Sequence, residues 1–419
     1  MLDLKWIRDN TDQVRAGLAA KNTRFNLEEL LGLDSERRTL LKEVEDLKAK
    51  RNAANDEIIS LKKAGNNAQA ESVIDSMKSI SQKIKDIDLK VGDIDLKIDV
   101  LAKVVPNMPH PDVPVGPGNS ANKVVRTWGE PRKFGFKPKD HYELAEKLGW
   151  FSMERGSKIT GTAFPVYEGL GARLERALIN FMLDIHTKRH GYREVWPPAL
   201  VNRQSMTGTG QLPKFEEDMY RLKDDDLFLV PTAEVPVTNL LRDEILEEKN
   251  LPVKYTAYSP CFRREAGSYG KDTRGLSRVH QFDKIEMVKF VRPEDGLAEL
   301  ESLVANAEVI LQTLELPYRV VLLGSGDMSF SAAKCYDLEV WAPGTQKWFE
   351  VSSCSWFADF QARRINVRYR RQDTKKVEFV HTLNGSGVAL ARTVLCLYEN
   401  FQKEDGGIEF PKALGPYLS

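Results

Sequence analysis

The chain is poor in cysteine and carries no surplus of charge. Cys261, Cys335, Cys354 and Cys396 are its 4 cysteines in 419 residues, scattered, with no Cys-x-x-Cys pair. That excludes a disulfide framework and a thiolate metal knuckle. The 6 histidines, His110, His141, His186, His190, His280 and His381, show no zinc-ligand spacing with one another or with cysteine, so no zinc is expected. Lysine plus arginine and aspartate plus glutamate both number 61. A zero balance gives no global attraction to a polyanion, so any nucleic-acid binding must rest on local basic patches. No apolar run approaches the ~18 residues of a membrane-spanning helix, and Met1 to Asn10 is mixed polar rather than a secretory leader. A reduced, cytoplasmic setting without a membrane partner is expected.

Two nucleotide signatures are missing as well. Leu323-Gly324-Ser325-Gly326-Asp327 imitates a dinucleotide loop, but Ser329 stands where the third glycine belongs and no β-α-β repeat surrounds it. Tyr269-Gly270-Lys271-Asp272 lacks both the hydroxyl residue after lysine and the glycine spacing of a Walker A loop. An ATP site in this chain must be of another design.

The N-terminal third is strongly periodic. Leu30, Leu33, Leu40, Val44, Leu47, Ala54, Ile58 and Leu61 follow steps of three and four, with Arg37 and Arg51 in the seam. Val73, Met77, Ile80, Ile84, Ile87, Val91, Ile94, Ile98, Leu101 and Val105 keep the same step without a gap. Such heptads predict two helices with narrow apolar seams, closing as an antiparallel coiled-coil hairpin across Ala64-Gly65-Asn66-Asn67. At 1.5 Å rise, ~35 residues per helix reach roughly 50 Å. Pro106, Pro109, Pro111, Pro114 and Pro117 then mark a linker. In isolation, such an arm suits a scaffold or a dimerisation device.

From Trp128 onward strand and helix patterns mix. Gly169 to Arg189 predicts an amphipathic helix, with Leu174, Ala177, Leu178, Phe181, Met182 and Ile185 on one face, leading to Tyr192-Arg193-Glu194-Val195-Trp196-Pro197-Pro198. Leu227 to Val230 reads as a strand running into Pro231-Thr232-Ala233-Glu234. Thr232 and Glu234 suit either a polar pocket or the first turn of a helix through Leu246. Tyr255 to Phe262 and Val279 to Phe290 read as strands around a long loop holding Gly267, Gly270 and Gly275. Arg263 and Arg264 stand at its entrance, Arg274 and Arg278 towards its exit. Guanidinium groups on two adjacent strands can grip one polyanion from two sides, and a solvated hairpin with scattered charge is the alternative. Trp348 to Ser353 predicts a strand with Glu350 and Ser352 on one face. A carboxylate beside a hydroxyl suits magnesium. His381-Thr382-Leu383-Asn384-Gly385-Ser386-Gly387 predicts a strand and a glycine turn, opening into an apolar helix from Val388 to Phe401. Arg392 in that helix needs a partner, either a phosphate or a core salt bridge.

The run Phe262-Arg263-Arg264-Glu265-Ala266-Gly267 to Arg278-Val279-His280-Gln281-Phe282 closely resembles the second signature motif of class II aminoacyl-tRNA synthetases, in the wording of the bacterial-type seryl enzymes. Pro231 to Val235 and His381 to Gly387 match as well. The helix, strand and proline run to Pro198 resembles the first class II motif, which builds the dimer interface in that family. The resemblance covers nearly the whole chain. It implies an α+β fold: a class II antiparallel β-sheet catalytic core flanked by helices over 128–419, a proline-rich linker over 106–127, and an N-terminal tRNA-binding domain over 1–105. The coiled-coil arm of that domain would span about 27–103. It also implies serine activation with ATP and magnesium, transfer of serine to tRNA(Ser) and possibly tRNA(Sec), and a homodimer. Candidate tRNA contacts on the arm are Lys42, Lys48, Lys50, Arg51, Lys62 and Lys63.

Residue by residue, the resemblance assigns Arg263, Arg278 and Arg392 to catalysis, with Arg263 on the α-phosphate and the substrate carboxylate. It assigns Thr232, Glu234, Glu286, Asn384 and Ser386 to serine. The ATP set is Arg263, Arg264, Glu265, Arg278, Val279, Phe282, Glu350, Val351, Ser352, Ser353 and Arg392, with magnesium on Glu350 and Ser353. Strand alternation would put Ser353 on the face opposite Glu350, so a twist or bulge after Ser352 is needed. An amino-acid:carrier-protein ligase, a catalytically dead paralogue and a coiled-coil scaffold are the competing classes. The arm speaks against the first, the intact charged set against the second, and the catalytic body against the third.

Overall fold

The computed structural model of the chain describes residues 1–266 and 274–419. The centre of the long loop, with Gly267, Gly270 and the tested Tyr269-Gly270-Lys271-Asp272, lies outside the described residues. The chain divides into two compact units, one of Leu2–Ala16 with Arg24–Val105, the other of Met1, Gly17–Thr23 and Pro106–Ser419.

The smaller unit is built on α1 (Leu27–Lys63) and α2 (Asn67–Val104). Asn26 caps α1 by accepting from the Glu29 N–H at 3.3 Å, and Gly65 makes the reversal with φ +78°, a conformation that favours glycine. The two helices pack along their length. Ile84, Ile87, Ile94 and Ile98 of α2 are buried, as are Leu30, Val44 and Ala54 of α1, which is the heptad seam. Arg37 is not idle there: it forms an ion pair with Asp95 across the hairpin. Lys48 pairs with Asp88 at 3.5 Å and Lys83 with Glu43 at 2.6 Å. Lys42, Lys50, Lys62 and Lys63 are exposed.

The larger unit is organised by an eight-stranded sheet. Its strands are β1 (Lys123–Trp128), β2 (Arg193–Glu194), β3 (Val253–Phe262), β4 (Gln281–Val291), β5 (Tyr318–Leu322), β6 (Lys334–Ala342), β7 (Lys347–Trp356) and β8 (His381–Ala389). Their spatial order is β1-β5-β6-β7-β8-β4-β3-β2. Every pairing is antiparallel except β2 with β3, so the sheet is mixed at one edge. Period-2 alternation on β4 divides two environments. Ile285, Met287 and Val291 join the main core, built with the helices α3 (Leu170–Lys188), α4 (Gly296–Thr313) and α5 (Leu390–Asn400). Lys289 faces the same way and is neutralised by Glu299 of α4 at 2.7 Å. The even positions point to the other face. Val288 and Phe290 pack there against Ala233, Val237, Ala362 and Ile365, while Phe282 and Lys284 line an open cleft.

Three expectations change. The helix after Thr232 does not run to Leu246. It spans Glu234–Thr238, passes through a short 3₁₀ turn, and Ile245–Glu247 is a strand. The chain reverses at Asp243, where φ is +64°. His381 to Gly387 contains no glycine turn, because β8 continues to Ala389 and α5 starts at Leu390. The third change concerns the β7 bulge.

Candidate active site

The cleft encloses about 660 Å³. Its floor is a network of buried charge from β4, β8 and the Pro231–Glu234 turn. Glu286 lies just beneath the surface of the cleft and is 1% exposed. Its Oε1 accepts from Asn384 Nδ2 at 2.9 Å. Its Oε2 accepts from Thr232 Oγ1 at 3.1 Å and is paired with Lys284 Nζ at 2.5 Å. Register explains the meeting, since Ser386 of β8 pairs with Glu286 of β4 and Asn384 is two residues back along the same strand.

Thr232 is fully engaged. It donates to Glu286 and accepts from Lys284 Nζ at 2.9 Å and from the Glu234 N–H at 3.1 Å. A hydroxyl has one proton and two lone pairs, so a ligand reaching Thr232 must displace one of these partners. The turn and pocket readings of Thr232 therefore coexist in one side chain. Glu234, also buried, accepts from Gln361 Nε2 at 2.7 Å. Burial and then the charge of Glu286 push its carboxyl up to about 7. Two buried carboxylates against one lysine leave the floor short of positive charge, which suits an incoming ammonium.

The walls are cationic and aromatic. The guanidinium of Arg263, at the end of β3, lies 5.2 Å over the Phe282 ring, and its Nε donates to the Pro231 carbonyl at 3.3 Å. Arg278 is held by Glu265 at 2.8 Å. Glu265 adopts φ +51°, a left-handed conformation costly for a residue with a side chain. Arg392 of α5 donates to the Ser277 carbonyl at 3.1 Å and to the Glu350 carbonyl at 2.8 Å. Val279 and Val351 complete this side of the lining. Arg264 is exposed and does not line the cleft; its backbone N–H donates to the Asp218 carbonyl at 3.1 Å.

Glu350, Ser352 and Ser353 all reach the cleft. The bulge required on β7 exists, but one step earlier than expected. Leu338 pairs with Ser352 and Glu339 with Glu350, so Val351 is the extra residue. A residue inserted between Glu350 and Ser352 offsets the alternation and turns Ser353 to the Glu350 side. Ser352 instead donates to the Ser386 carbonyl at 2.6 Å. Asp337 of β6 lies beside both Glu350 and Ser353; burial and then the Glu350 charge raise its carboxyl well above the usual range. Two carboxylates and a hydroxyl are hard oxygen donors of the kind magnesium takes.

Lys284, Gln361, Asp337 and His186 were not singled out from the sequence. Lys284 lies between Phe282 and Glu286 on one face of β4. His186 of α3 sits behind β8, with Nε2 3.5 Å from the Gly387 carbonyl. Burial lowers its imidazole to about 3, so it is neutral.

A family model for the tRNA synthetase class II core domain (G, H, P, S and T) matches residues 214–401, and one for the seryl-tRNA synthetase N-terminal domain matches residues 1–109. The serine–tRNA ligase of Trichlorobacter lovleyi is 54% identical over 418 residues, covering 100% of this chain and 98% of its own. That of Alkaliphilus oremlandii is 56% identical over 419 residues, covering 100% and 98%. The crystal structure of seryl-tRNA synthetase from Pyrococcus horikoshii complexed with ATP superimposes with a TM-score of 0.94 at 38% identity, covering 100% of this chain and 98% of that one. Alike in sequence and in fold over its whole length, the chain belongs to the seryl-tRNA synthetase family of class II ligases.

Proposed function

We propose that the cleft activates L-serine with ATP and passes the seryl group to tRNA(Ser), and to tRNA(Sec) where that acceptor exists. The observation that carries this reading is the pair Glu234 and Glu286, two buried carboxylates flanking one lysine at the foot of a wall holding Arg263, Arg278 and Arg392. Serine's ammonium goes to Glu234, and its hydroxyl to Glu286 with Asn384 and Ser386 at hand. Thr232 and Lys284 hold Glu286 in place.

Serine's carboxylate is already ionised at neutral pH, so the first step needs no general base. Its oxygen attacks the α-phosphorus, the bond to the bridging oxygen of pyrophosphate breaks, and seryl-adenylate remains. Positioning and charge stabilisation supply the catalysis. Arg263 serves the α-phosphate and the carboxylate, leaving its perch on Phe282 free for adenine. Arg278 and Arg392 serve the distal phosphates, and Glu265 the adenine amino group. Val279, Val351 and Ser352 shape the nucleotide wall, with Arg264 at its rim. Glu350 and Ser353, with Asp337 beside them, would hold magnesium, which supplies neutralisation of phosphate charge when bound. In the second step a ribose hydroxyl of the tRNA's terminal adenosine attacks the seryl carbonyl carbon. The ester forms, the acyl–phosphate bond breaks, and AMP leaves with the hydroxyl's proton.

Residues 1–105 form the tRNA-binding domain, with the coiled-coil arm as its reader, and 128–419 the catalytic domain of a cytoplasmic homodimer. Serine-dependent ATP–pyrophosphate exchange followed by charging of tRNA(Ser) tests the reading. Exchange that does not depend on serine would refute it.

A further inference from the structure

The long loop between β3 and β4 is held at its exit by a buried pair of side chains that the reaction proposed above does not use. One is His141, first residue of the helix His141–Leu148. The other is Glu399, near the end of α5. His141 is 2% exposed and Glu399 0%, and neither lines the cleft. His141 Nδ1 lies 2.9 Å from Glu399 Oε1, which also accepts from the His141 backbone N–H at 3.0 Å. Glu399 Oε2 accepts from the Gly344 and Thr345 N–H groups, both at 2.8 Å, and from Thr345 Oγ1 at 3.0 Å.

These contacts fix the proton on the imidazole. A carboxylate only accepts, so Nδ1 must donate to it. Nε2 receives the Leu276 backbone N–H at 3.1 Å, so it carries the bare lone pair. The ring thus joins α5 to the loop exit. Consecutive loop residues meet the same helix start. Arg274 pairs with Asp140 at 3.3 Å and lies 4.7 Å over the Tyr142 ring. Gly275, with φ +65°, comes so close that a Cβ there would stand 2.3 Å from His141 Nε2. Leu276 gives the hydrogen bond and is buried in the main core. Ser277, the next residue, is gripped by Arg392, which lies two turns before Glu399 on α5. One helix therefore holds two adjacent loop residues, one directly and one through His141. Arg278 follows at once.

We propose that His141, oriented by Glu399, is a positioning residue for Arg278. It sets the backbone from which that guanidinium reaches the distal phosphates of ATP. The inference rests on the role given to Arg278 above. A planar fork grips phosphate well only from a fixed direction. A loop exit free to shift must be ordered at each binding event, and that cost weakens ATP binding. The serine pocket is built from other segments, so serine does not feel the loss.

The test is serine-dependent pyrophosphate exchange with the full chain, with ATP and serine varied separately. Arg278→Ala sets the scale and raises KM for ATP. His141→Asn keeps an amide N–H where Nδ1 stands but cannot reach Leu276. His141→Gln places an amide oxygen where Nε2 stands and can accept the Leu276 N–H. His141→Asn should raise KM for ATP on the order of tenfold, the size of one buried hydrogen bond lost, and leave KM for serine unchanged. His141→Gln should recover most of that loss. An equal rise in the two variants, or a rise shared equally by ATP and serine, would make the pair structural and overturn the proposal. Should neither variant fold, Gly275→Ala presses on the same ring from the loop. It should show the same ATP-selective rise, and an unchanged KM for ATP would overturn the proposal. An unchanged KM for ATP in Arg278→Ala, or exchange independent of serine in the unaltered protein, would instead overturn the reading on which the proposal rests.

Discussion

Serine activation should collapse on the acid side of neutrality, and Glu234 should be the reason. Burial and the neighbouring Glu286 charge lift its carboxyl to about 7. An ammonium binds the ionised form. At pH 6 about a tenth of such a group is ionised and at pH 8 about nine tenths, so kcat/KM for serine should rise roughly tenfold across that interval. That quantity reports the enzyme before serine binds. Serine-dependent pyrophosphate exchange at saturating ATP, measured from pH 5.5 to 8.5, reads it. Lys284 and Arg263 hold the Glu234 carboxyl down through their charge, and Gln361 does so through its hydrogen bond. Lys284→Met should therefore move the midpoint upward. Glu234→Gln should lower the rate and remove the limb. A flat wild-type profile between pH 6 and 8, or a limb that survives in Glu234→Gln, would refute the assignment.

The same group sets a stability trend of the opposite sign. Its folded-state value lies above the ordinary 4.5, so the folded protein keeps a proton that the unfolded chain releases. Stability from this residue is present below pH 4.5 and declines as pH rises to about 7, by about 3 kcal/mol at most. Glu234→Gln should flatten that decline in denaturant titrations.

Arg263→Ala should cost adenylation on the order of 2.7–4 kcal/mol, as for the loss of one preorganised electrostatic donor. Arg263→Lys should not rescue it fully, because the planar fork is lost; exchange near wild type in the alanine variant would sink the role. Removing residues 30 to 100 should leave a core that activates serine but charges tRNA poorly, and equal loss of both would make the arm structural. Glu286→Ala should lose most serine activation and narrow the preference over alanine, since a site that bonds a hydroxyl rejects the analogue lacking it; an unchanged preference would move that contact elsewhere. Gly387→Ala should depress exchange, because its Cβ would lie 2.4 Å from His186 Nε2. His186→Ala should partly relieve that loss by making room, and no relief would show that the clash is not the cause.

What the sequence disclosed divides along physical lines. The arm was legible because a seam needs a period, and the period is carried by neighbours three and four apart. The pairing of β3 with β4 was legible for a like reason, as were Phe282 and Glu286 on one face of β4. Lys284 stands between them on that face, but a lysine in an alternating strand reads as solvent-facing until its partners are known. Those partners, Thr232 and Glu286, meet it only through the fold. Gln361 reaches Glu234 from a short helix, Phe360–Ile365, and no local pattern announces such a contact. The need for a bulge on β7 could be deduced from Glu350 and Ser353, yet its place at Val351 depends on how β6 pairs with it.

The glycines of β8 make the point most sharply. Gly385 and Gly387 read as a turn because glycine commonly supplies positive φ, but neither has it. They are glycine because other atoms approach closely: a Cβ at Gly385 would lie 2.8 Å from Cys354 Sγ, and one at Gly387 would lie 2.4 Å from His186 Nε2. Glycine inside a strand marks such an approach as often as it marks a bend. Here the approach lets β8 lie against β7 and α3 while it carries Asn384 and Ser386 across Glu286. The residues that make the pocket small are thus set from behind the sheet, by side chains that no serine touches.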